Sequence, residues 1–202
     1  MARATPASGT DDDDDIAPDA LNLLRRDHRL AEELFAEFQR SAPQQLDPLA
    51  RRICKMLRVH TQIEEELFYP AVGRALTSDP AQPAAADGTL IEQALREHAE
   101  AQQSIVRIES LTSENPSFQD EVARLAQLTA EHILNEEQEL FPKASASTLD
   151  LTALGIALAE RRDTLLDVLG LHGDDEEGAA NQRETHQPGG RLRPGPQQKG
   201  TQ

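Results

Sequence analysis

Aromatic residues, cysteine and long apolar runs are all scarce in this chain of 202 residues. It has no Trp, one Tyr and five Phe, so a core must be built mainly from Leu, Ile, Val and Ala. The single cysteine, Cys54, rules out an intramolecular disulfide and a cysteine-rich metal site. No stretch approaches the ~18 apolar residues of a membrane span, and the first fifteen residues lack the apolar run of a signal peptide. These absences predict a cytoplasmic protein.

Basic residues are also few. Lys and Arg number 20 against 36 Asp and Glu, which gives a formal net charge of −16. So acidic a surface repels nucleic acid and anionic membranes, and neither is expected as a partner. The sequence leaves the oligomeric state open.

Composition divides the chain into three parts. Residues 1–18 include five consecutive aspartates and are predicted to be a disordered acidic segment. Residues 171–202 are rich in Gly, Pro and Gln with almost no large apolar side chain, so we expect a disordered tail. The region between them, 19–170, is predicted to be the one folded domain.

Helix signals run through the whole of this domain, and no segment alternates at a period of two. Thr89 with Glu92 predicts a capping box at the start of the third helix. Pro70 is expected to kink or end the second helix. Four long helices with short connections predict an all-α, up-down four-helix bundle, followed by a shorter fifth helix from about Leu149 to Leu169.

An internal repeat organises these helices. His60 begins the segment HTQIEEELFYP and His132 begins HILNEEQELFP; in both, two Glu and then a Pro follow at the same spacings. A partner histidine precedes each segment, His28 by 32 residues and His98 by 34. The domain is therefore predicted to consist of two copies of one helical hairpin, each with the same polar residues.

The spacing of four residues places a histidine and a glutamate on one helix face. At about 100° per residue, Glu64 and Glu136 fall on the inward face of their helices, together with Leu67. Glu65 and Glu137 are predicted to point away from it. The same analysis puts the partner histidines on apolar stripes. The predicted inward set is His28, His60, Glu64, His98, His132 and Glu136.

Such a set in a dry core requires a compensating charge. A single His-x-x-x-Glu is most often a surface ion pair, but two matched copies on apolar stripes favour a metal site over a self-satisfied polar network. Imidazole and carboxylate ligands from separate helices suit iron or manganese in a two-metal centre. If both glutamates and a solvent oxygen bridge the two ions, positions remain for a small exogenous ligand.

Four other Glu, Cys and His residues are not predicted to be metal ligands. Glu32, four residues after His28, is predicted to face inward as an outer partner or pocket residue rather than a ligand. Cys54 is interpreted as a packing residue. His172 and His186 are interpreted as bystanders.

Residues of all four long helices resemble one family. The segments DALNLLRRDHRLAEELF and REHAEAQ, together with the two repeats, are similar to the bacterial hemerythrin-like proteins called HHE cation-binding domains. The resemblance spans roughly 19–170. It implies a non-haem di-iron centre on the six inward residues, with an oxo or hydroxo bridge when oxidised. It also implies that the protein binds or reacts with dioxygen, peroxide or nitric oxide, or handles iron.

The chain departs from the oxygen-carrying members. Those have a second histidine on the third helix, where this sequence has Ala94 and Gln102 on either side of His98. An additional open position favours irreversible oxidation or reaction with peroxide over reversible carriage. Two other functions stay open: a di-iron enzyme that removes peroxide, and a structural bundle holding manganese or zinc.

Overall fold

The structure is a computed structural model that describes residues 19–77 and 84–169, with the backbone alone at 84–88. All regular secondary structure in these residues is helical. The segments predicted to be disordered, and with them His172 and His186, lie outside the described residues. The α-helices are α1 (Ala20–Arg40), α2 (Leu46–Ile63), α3 (Tyr69–Thr77), α4 (Ala84–Glu109), α5 (Phe118–Asn135), α6 (Phe141–Ala146) and α7 (Leu151–Val168).

Four helical rods form the bundle: α1, α2 continued by α3, α4, and α5 continued by α6. Helix α1 packs on α2 and α5, and α4 packs on the same two helices. The second rod and α4 run in opposite directions, because Asp47 at the start of α2 binds Ser113 beyond the end of α4, whereas Glu65 beyond the end of α2 binds His98 inside α4. The up-down four-helix bundle is therefore confirmed.

The predicted fifth helix is also present as α7, within two residues of the expected bounds. Described residues up to Leu165 belong to one compact unit, and those from Leu166 onward belong to a second. Among the described helices, none is long and apolar enough to cross a membrane.

Helix α1 begins directly after Asp19, which caps it. The Asp19 carboxylate accepts a hydrogen bond of 2.8 Å from the backbone N–H of Asn22, which satisfies one of the free donors of the first turn. The capping box predicted at Thr89 is wrong, because α4 already begins at Ala84. Alanine has the highest helix propensity, and the run of alanines before Thr89 extends the helix toward the N-terminus.

Two π-helical turns interrupt the rods at equivalent places in the two repeats. They cover Glu64–Phe68 and Glu136–Leu140, and each holds one residue more than an α-turn. A proline follows each turn by two residues, at Pro70 and Pro142. Proline lacks an N–H and its ring clashes with the carbonyl four residues earlier, and a widened turn relieves that clash. The second rod therefore continues through Pro70 to Thr77.

The π-turns change which side chains face the core. An extra residue rotates everything after it by about 100° relative to an α-helix. Phe68 is fully buried as a result, whereas Leu67, predicted to face inward, is only partly buried. Tyr69 is buried for the same reason. Phe68 meets Phe141 of the second repeat edge to face at 5.6 Å, which closes the core at this end of the bundle.

The other end of the bundle holds a larger apolar cluster, to which α1, α2, α4 and α5 all contribute. Phe38 packs against Phe118 at 6.1 Å, and Leu125 and Ile53 are fully buried beside them. Cys54 is buried in this cluster, which confirms it as a packing residue. Burial raises the pKa of its thiol to about 12, with a smaller contribution from nearby carboxylate charge. The six predicted inward residues lie between the two apolar ends.

Candidate metal centre

The six residues predicted to face inward meet in the middle of the bundle. All are buried, with at most 6% of any of them exposed. The ligand atoms form two groups within 4.8 Å that share one carboxylate. One group is His28, His60 and Glu64, and the other is Glu64, His98 and His132. Glu136 lies beside both, because its Oε2 is 3.4 Å from His28 Nε2 and 3.8 Å from His132 Nε2.

Each glutamate lies between histidines of two different rods. Glu64 Oε2 is 3.2 Å from Nε2 of His60, its neighbour on the second rod, and 3.4 Å from Nε2 of His98 on α4. Glu136 is placed in the same way between α1 and α5. A carboxylate in this position could be shared by two cations that the neighbouring histidines hold.

The outer nitrogen of every histidine faces a carboxylate. The Nδ1 distances are 2.8 Å for His28 to Glu137, 3.6 Å for His60 to Asp27, 2.9 Å for His98 to Glu65 and 3.0 Å for His132 to Glu97. Three of the four are within hydrogen-bond distance. A carboxylate that accepts from Nδ1–H leaves the lone pair on Nε2, so this arrangement prepares the inner nitrogens to bind a cation.

Two of these carboxylates correct a prediction from the sequence. Glu65 and Glu137 do not point away from the centre; each binds a buried histidine of the centre on the adjacent rod. Dividing a helix surface only into an inward and an outward face leaves out its two flanks. In a bundle these flanks face the neighbouring helices. A long side chain at the flank therefore reaches the outer edge of the imidazole.

Glu32 also corrects a prediction, because its side chain is exposed and does not face the centre. The buried positions of α1 fill an arc centred about 60° to one side of His28, at 100° per residue. Glu32 falls beyond the opposite edge of that arc. Asp27, which immediately precedes His28, lies inside it and takes the role expected of Glu32. An acid before each of His28 and His98 was the available sequence signal.

The carboxylates of Glu65 and Glu137 should contribute to metal affinity. Replacing either with glutamine removes the charge that orients an imidazole, so we expect a loss of about 10–100-fold in affinity, the usual effect of removing such a partner. The control is Glu66→Gln, since Glu66 bonds Arg161 and Gln62 at the surface. Competition for ferrous iron with a chromophoric chelator measures the effect. Equal affinities in all three variants would contradict it.

The buried polar atoms of the centre fit divalent cations. His28 Nε2, His60 Nε2 and all four carboxylate oxygens of Glu64 and Glu136 are buried, and although some lie 3.2–3.4 Å apart, none makes a hydrogen bond of acceptable geometry to a described residue. Each unsatisfied buried polar group costs roughly 1–3 kcal/mol. Burial, followed by repulsion from Glu136, raises the pKa of Glu64 well above its usual range. Divalent cations would satisfy these atoms together, and nitrogen and carboxylate donors fit iron or manganese.

Tyr69 joins the centre, and the sequence analysis did not predict it. Its hydroxyl lies 3.1 Å from His98 Nε2. Burial and the nearby charges of Glu64 and Glu136 raise the pKa of the phenol well above its usual range, so Tyr69 keeps its proton. On an unbroken α-helix Tyr69 would lie about 180° from His60, and only the π-turn brings it inward. The motif LFYP, with proline directly after tyrosine, was the only sequence signal.

The second repeat has phenylalanine where the first has Tyr69. Phe141 stacks on the imidazole of His28, with ring centroids 5.7 Å apart and the planes 6° from parallel. The guanidinium of Arg25 also lies over the Phe141 ring, 5.3 Å from its centroid. The two halves of the centre therefore differ: one has a phenol hydroxyl beside its histidine and the other has an apolar ring.

A small cavity adjoins the four histidines on the side of the larger apolar cluster. Its volume is about 20 Å³, slightly more than the ~10–15 Å³ that one water molecule requires. Apolar side chains form most of its wall, among them Ala31, Leu57 and Ile105, and Gln102 also lines it. Ala94 lies on the opposite side, near Glu136. A cavity of this size accommodates a diatomic molecule or peroxide rather than an organic substrate.

Comparisons with known proteins agree with this geometry. One curated relative is a DNA nickase from Nostoc sp., which is 29% identical over 121 residues. The match covers 59% of this chain and 32% of the relative, so the chain spans about a third of that relative's length. Among solved structures, the crystal structure of a hemerythrin HHE cation-binding domain-containing protein from Mycobacterium kansasii has a similar fold.

That structure superposes with a TM-score of 0.62 at 20% sequence identity, over 77% of this chain and 93% of the Mycobacterium chain. The family model for the hemerythrin HHE cation binding domain matches residues 19–144. The match covers more than half of the chain and includes every buried histidine and glutamate of the centre. This chain belongs to the hemerythrin HHE cation-binding domain family.

Proposed function

We propose that the protein is a cytoplasmic, non-haem di-iron protein that binds or reacts with dioxygen, peroxide or nitric oxide. The observation that carries the proposal is the set of buried nitrogens and carboxylate oxygens that converge without partners. Two irons would satisfy all of them, whereas zinc usually takes four ligands and would leave some unused. The proposed ligands are His28, His60, Glu64, His98, His132 and Glu136.

The protein contributes position, charge and a proton. Glu64 and Glu136 lie between histidines of different rods, so each would be shared by two cations bound at the centre. The carboxylates around the Nδ1 atoms keep the imidazoles in one orientation and one tautomer. Iron, when bound, supplies redox chemistry and open positions for a small ligand. Tyr69 holds a proton at its buried hydroxyl, where it can donate to a small ligand in the centre.

Reversible oxygen carriage is not part of the proposal. Ala94 and Gln102 stand where a further histidine would be needed, and neither supplies an imidazole. The apolar cavity beside the histidines admits a small oxidant to positions that no described side chain fills. We therefore expect the ferrous protein to be oxidised by air without recovering under vacuum.

Ferrous loading under anaerobic conditions tests this function. Elemental analysis should give two irons per chain, and stopped-flow mixing with aerated buffer should produce an absorption change that deoxygenation does not reverse. Azide should then perturb the spectrum, because an open position admits it. A plateau at one iron per chain would contradict the two-metal centre, and a spectrum that returns fully under vacuum would instead indicate a carrier.

Peroxide removal is a second candidate function, and the buried phenol favours it. A protonated Tyr69 beside the centre is a proton donor of the kind that cleavage of an O–O bond uses. Release of oxygen from hydrogen peroxide by the iron-loaded protein, measured with an oxygen electrode, separates this enzyme from a protein that is oxidised once and stops.

DNA nicking is not carried over from the Nostoc relative. The match covers 32% of that protein, so most of its length has no counterpart in this alignment. The net charge of −16 opposes binding to a phosphate backbone. We propose that nucleic acid and membranes are not partners.

A further inference from the structure

Helix α7 reaches the centre from outside the residues that the family model matches. The Nη1 of Arg162 donates a hydrogen bond of 2.8 Å to Oδ1 of Asp27. The other oxygen of that carboxylate lies 3.6 Å from Nδ1 of His60. Arg162, Asp27 and His60 therefore form a chain of contacts from the last helix to a proposed iron ligand.

In each repeat an acidic residue directly precedes the first histidine, Asp27 in the first copy and Glu97 in the second, and the two carboxylates have different hydrogen-bond donors. In the second copy, Oε1 of Glu97 accepts hydrogen bonds from the amides of Gln93 at 2.8 Å and Asn135 at 2.7 Å. The equivalent positions of the first copy hold Leu23 and Ile63, which donate nothing from their side chains. The aspartate of the first copy therefore depends on a donor from outside the repeat, and α7 provides it.

The contact between Arg162 and Asp27 differs from the surface ion pair that the neighbouring Arg161 makes. Arg161 and Arg162 are each 34% exposed, and Arg161 pairs at 2.6 Å with Glu66, whose side chain is 38% exposed. Arg162 instead reaches the buried carboxylate of Asp27, although its own Nε is left buried with no partner among the described residues.

We propose that Arg162 is a positioning residue for the His60 half of the centre, the half formed by His28, His60 and Glu64. It fixes Asp27, and Asp27 in turn orients the imidazole of His60. The inference rests on the proposed di-iron function. It makes the two iron positions unequal, because the anchor is a guanidinium from α7 in one half and two neutral amides in the other.

The test compares Arg162→Ala with Arg161→Ala in the full-length chain. Ferrous iron is titrated anaerobically in competition with a chromophoric chelator, and the number of irons and both affinities are fitted. In Arg162→Ala we expect one iron to bind about 10–100-fold more weakly while the other keeps its affinity. Arg161→Ala should match the unmodified protein, since its partner Glu66 is at the surface. Arg162→Lys retains a donor and should restore part of the loss.

A spectroscopic measurement keeps positioning distinct from loss of packing. In metal-free protein with labelled histidine, Arg162→Ala should shift the Nδ1 resonance of His60 and leave that of His132 unchanged. If Arg162→Ala binds two irons with unchanged affinities, the inference is overturned while the di-iron function stands. Equal losses in both arginine variants would overturn it too, because they would reflect only the docking of α7. If the unmodified protein itself binds fewer than two irons, the proposed function fails first.

Discussion

Chelator-treated protein is expected to unfold at a temperature on the order of 10 °C lower than the iron-loaded protein. A ligand that binds only the folded state at 1,000 times its dissociation constant adds about 4 kcal/mol to the free energy of unfolding. For a domain of this size each kcal/mol moves the midpoint by roughly 2–4 °C. The structural cause is the set of buried donors and acceptors at His28, His60, Glu64 and Glu136, which have no partner among the described residues.

Thermal melts followed by circular dichroism at 222 nm measure this difference. Adding ferrous iron under anaerobic conditions should restore the higher midpoint, and magnesium, which prefers oxygen ligands, should not. Identical melting curves with and without chelator would show that the six residues satisfy one another, and that result would remove the main support for a metal centre.

Most of the fold could be predicted because the helices are amphipathic and regular. Histidine and glutamate four residues apart share a face of any α-helix, and the repeat of that pair in two hairpins restricts them to one interior. The all-α bundle and the meeting of the six residues follow from period and repetition alone. The donor types alone predict iron or manganese, and the resemblance to the family narrows that expectation to iron.

The prediction failed where the helix departs from an α-helix. Helical wheels assume a constant angle per residue, and the two π-turns change that angle directly after Glu64 and Glu136. Tyr69 was missed for this reason, and Leu67 was placed inward in place of Phe68. Proline two residues after each turn was the visible sign, but it was interpreted as the end or kink of a helix.

Other parts of the centre depend on packing between helices. Glu65 reaches His98 across a helix flank, and which flank faces which neighbour is decided only when the rods assemble. Arg162 and Asp27 lie 135 positions apart in the chain, and no local pattern pairs them. The sequence therefore predicted the residues that face inward on their own helix, and it did not predict those that act across an interface.

Replacing Glu64 with leucine should abolish binding of both irons and yet stabilise the metal-free protein. Glu64 belongs to both groups of ligand atoms, so its loss affects both iron positions. Without metal, however, its carboxylate is fully buried and has no hydrogen-bond partner among the described residues. A buried polar group without a hydrogen-bond partner costs roughly 1–3 kcal/mol, and an apolar side chain of similar volume removes that cost. The midpoint of the metal-free variant should therefore rise by several degrees.

Loss of iron together with a higher midpoint of the metal-free protein would distinguish a metal ligand from a structural carboxylate. If Glu64 held the bundle together through protein contacts, Glu64→Leu would lower the midpoint with or without iron. Glu64→Gln keeps the shape and removes the charge, so it should also lose iron but gain less stability, because its amide stays unsatisfied. Glu66→Gln, two residues along the chain at the surface, should keep two irons. The test compares melting curves and iron content of the three variants, each with and without chelator. A Glu64→Leu protein that retains both irons would exclude Glu64 as the shared ligand.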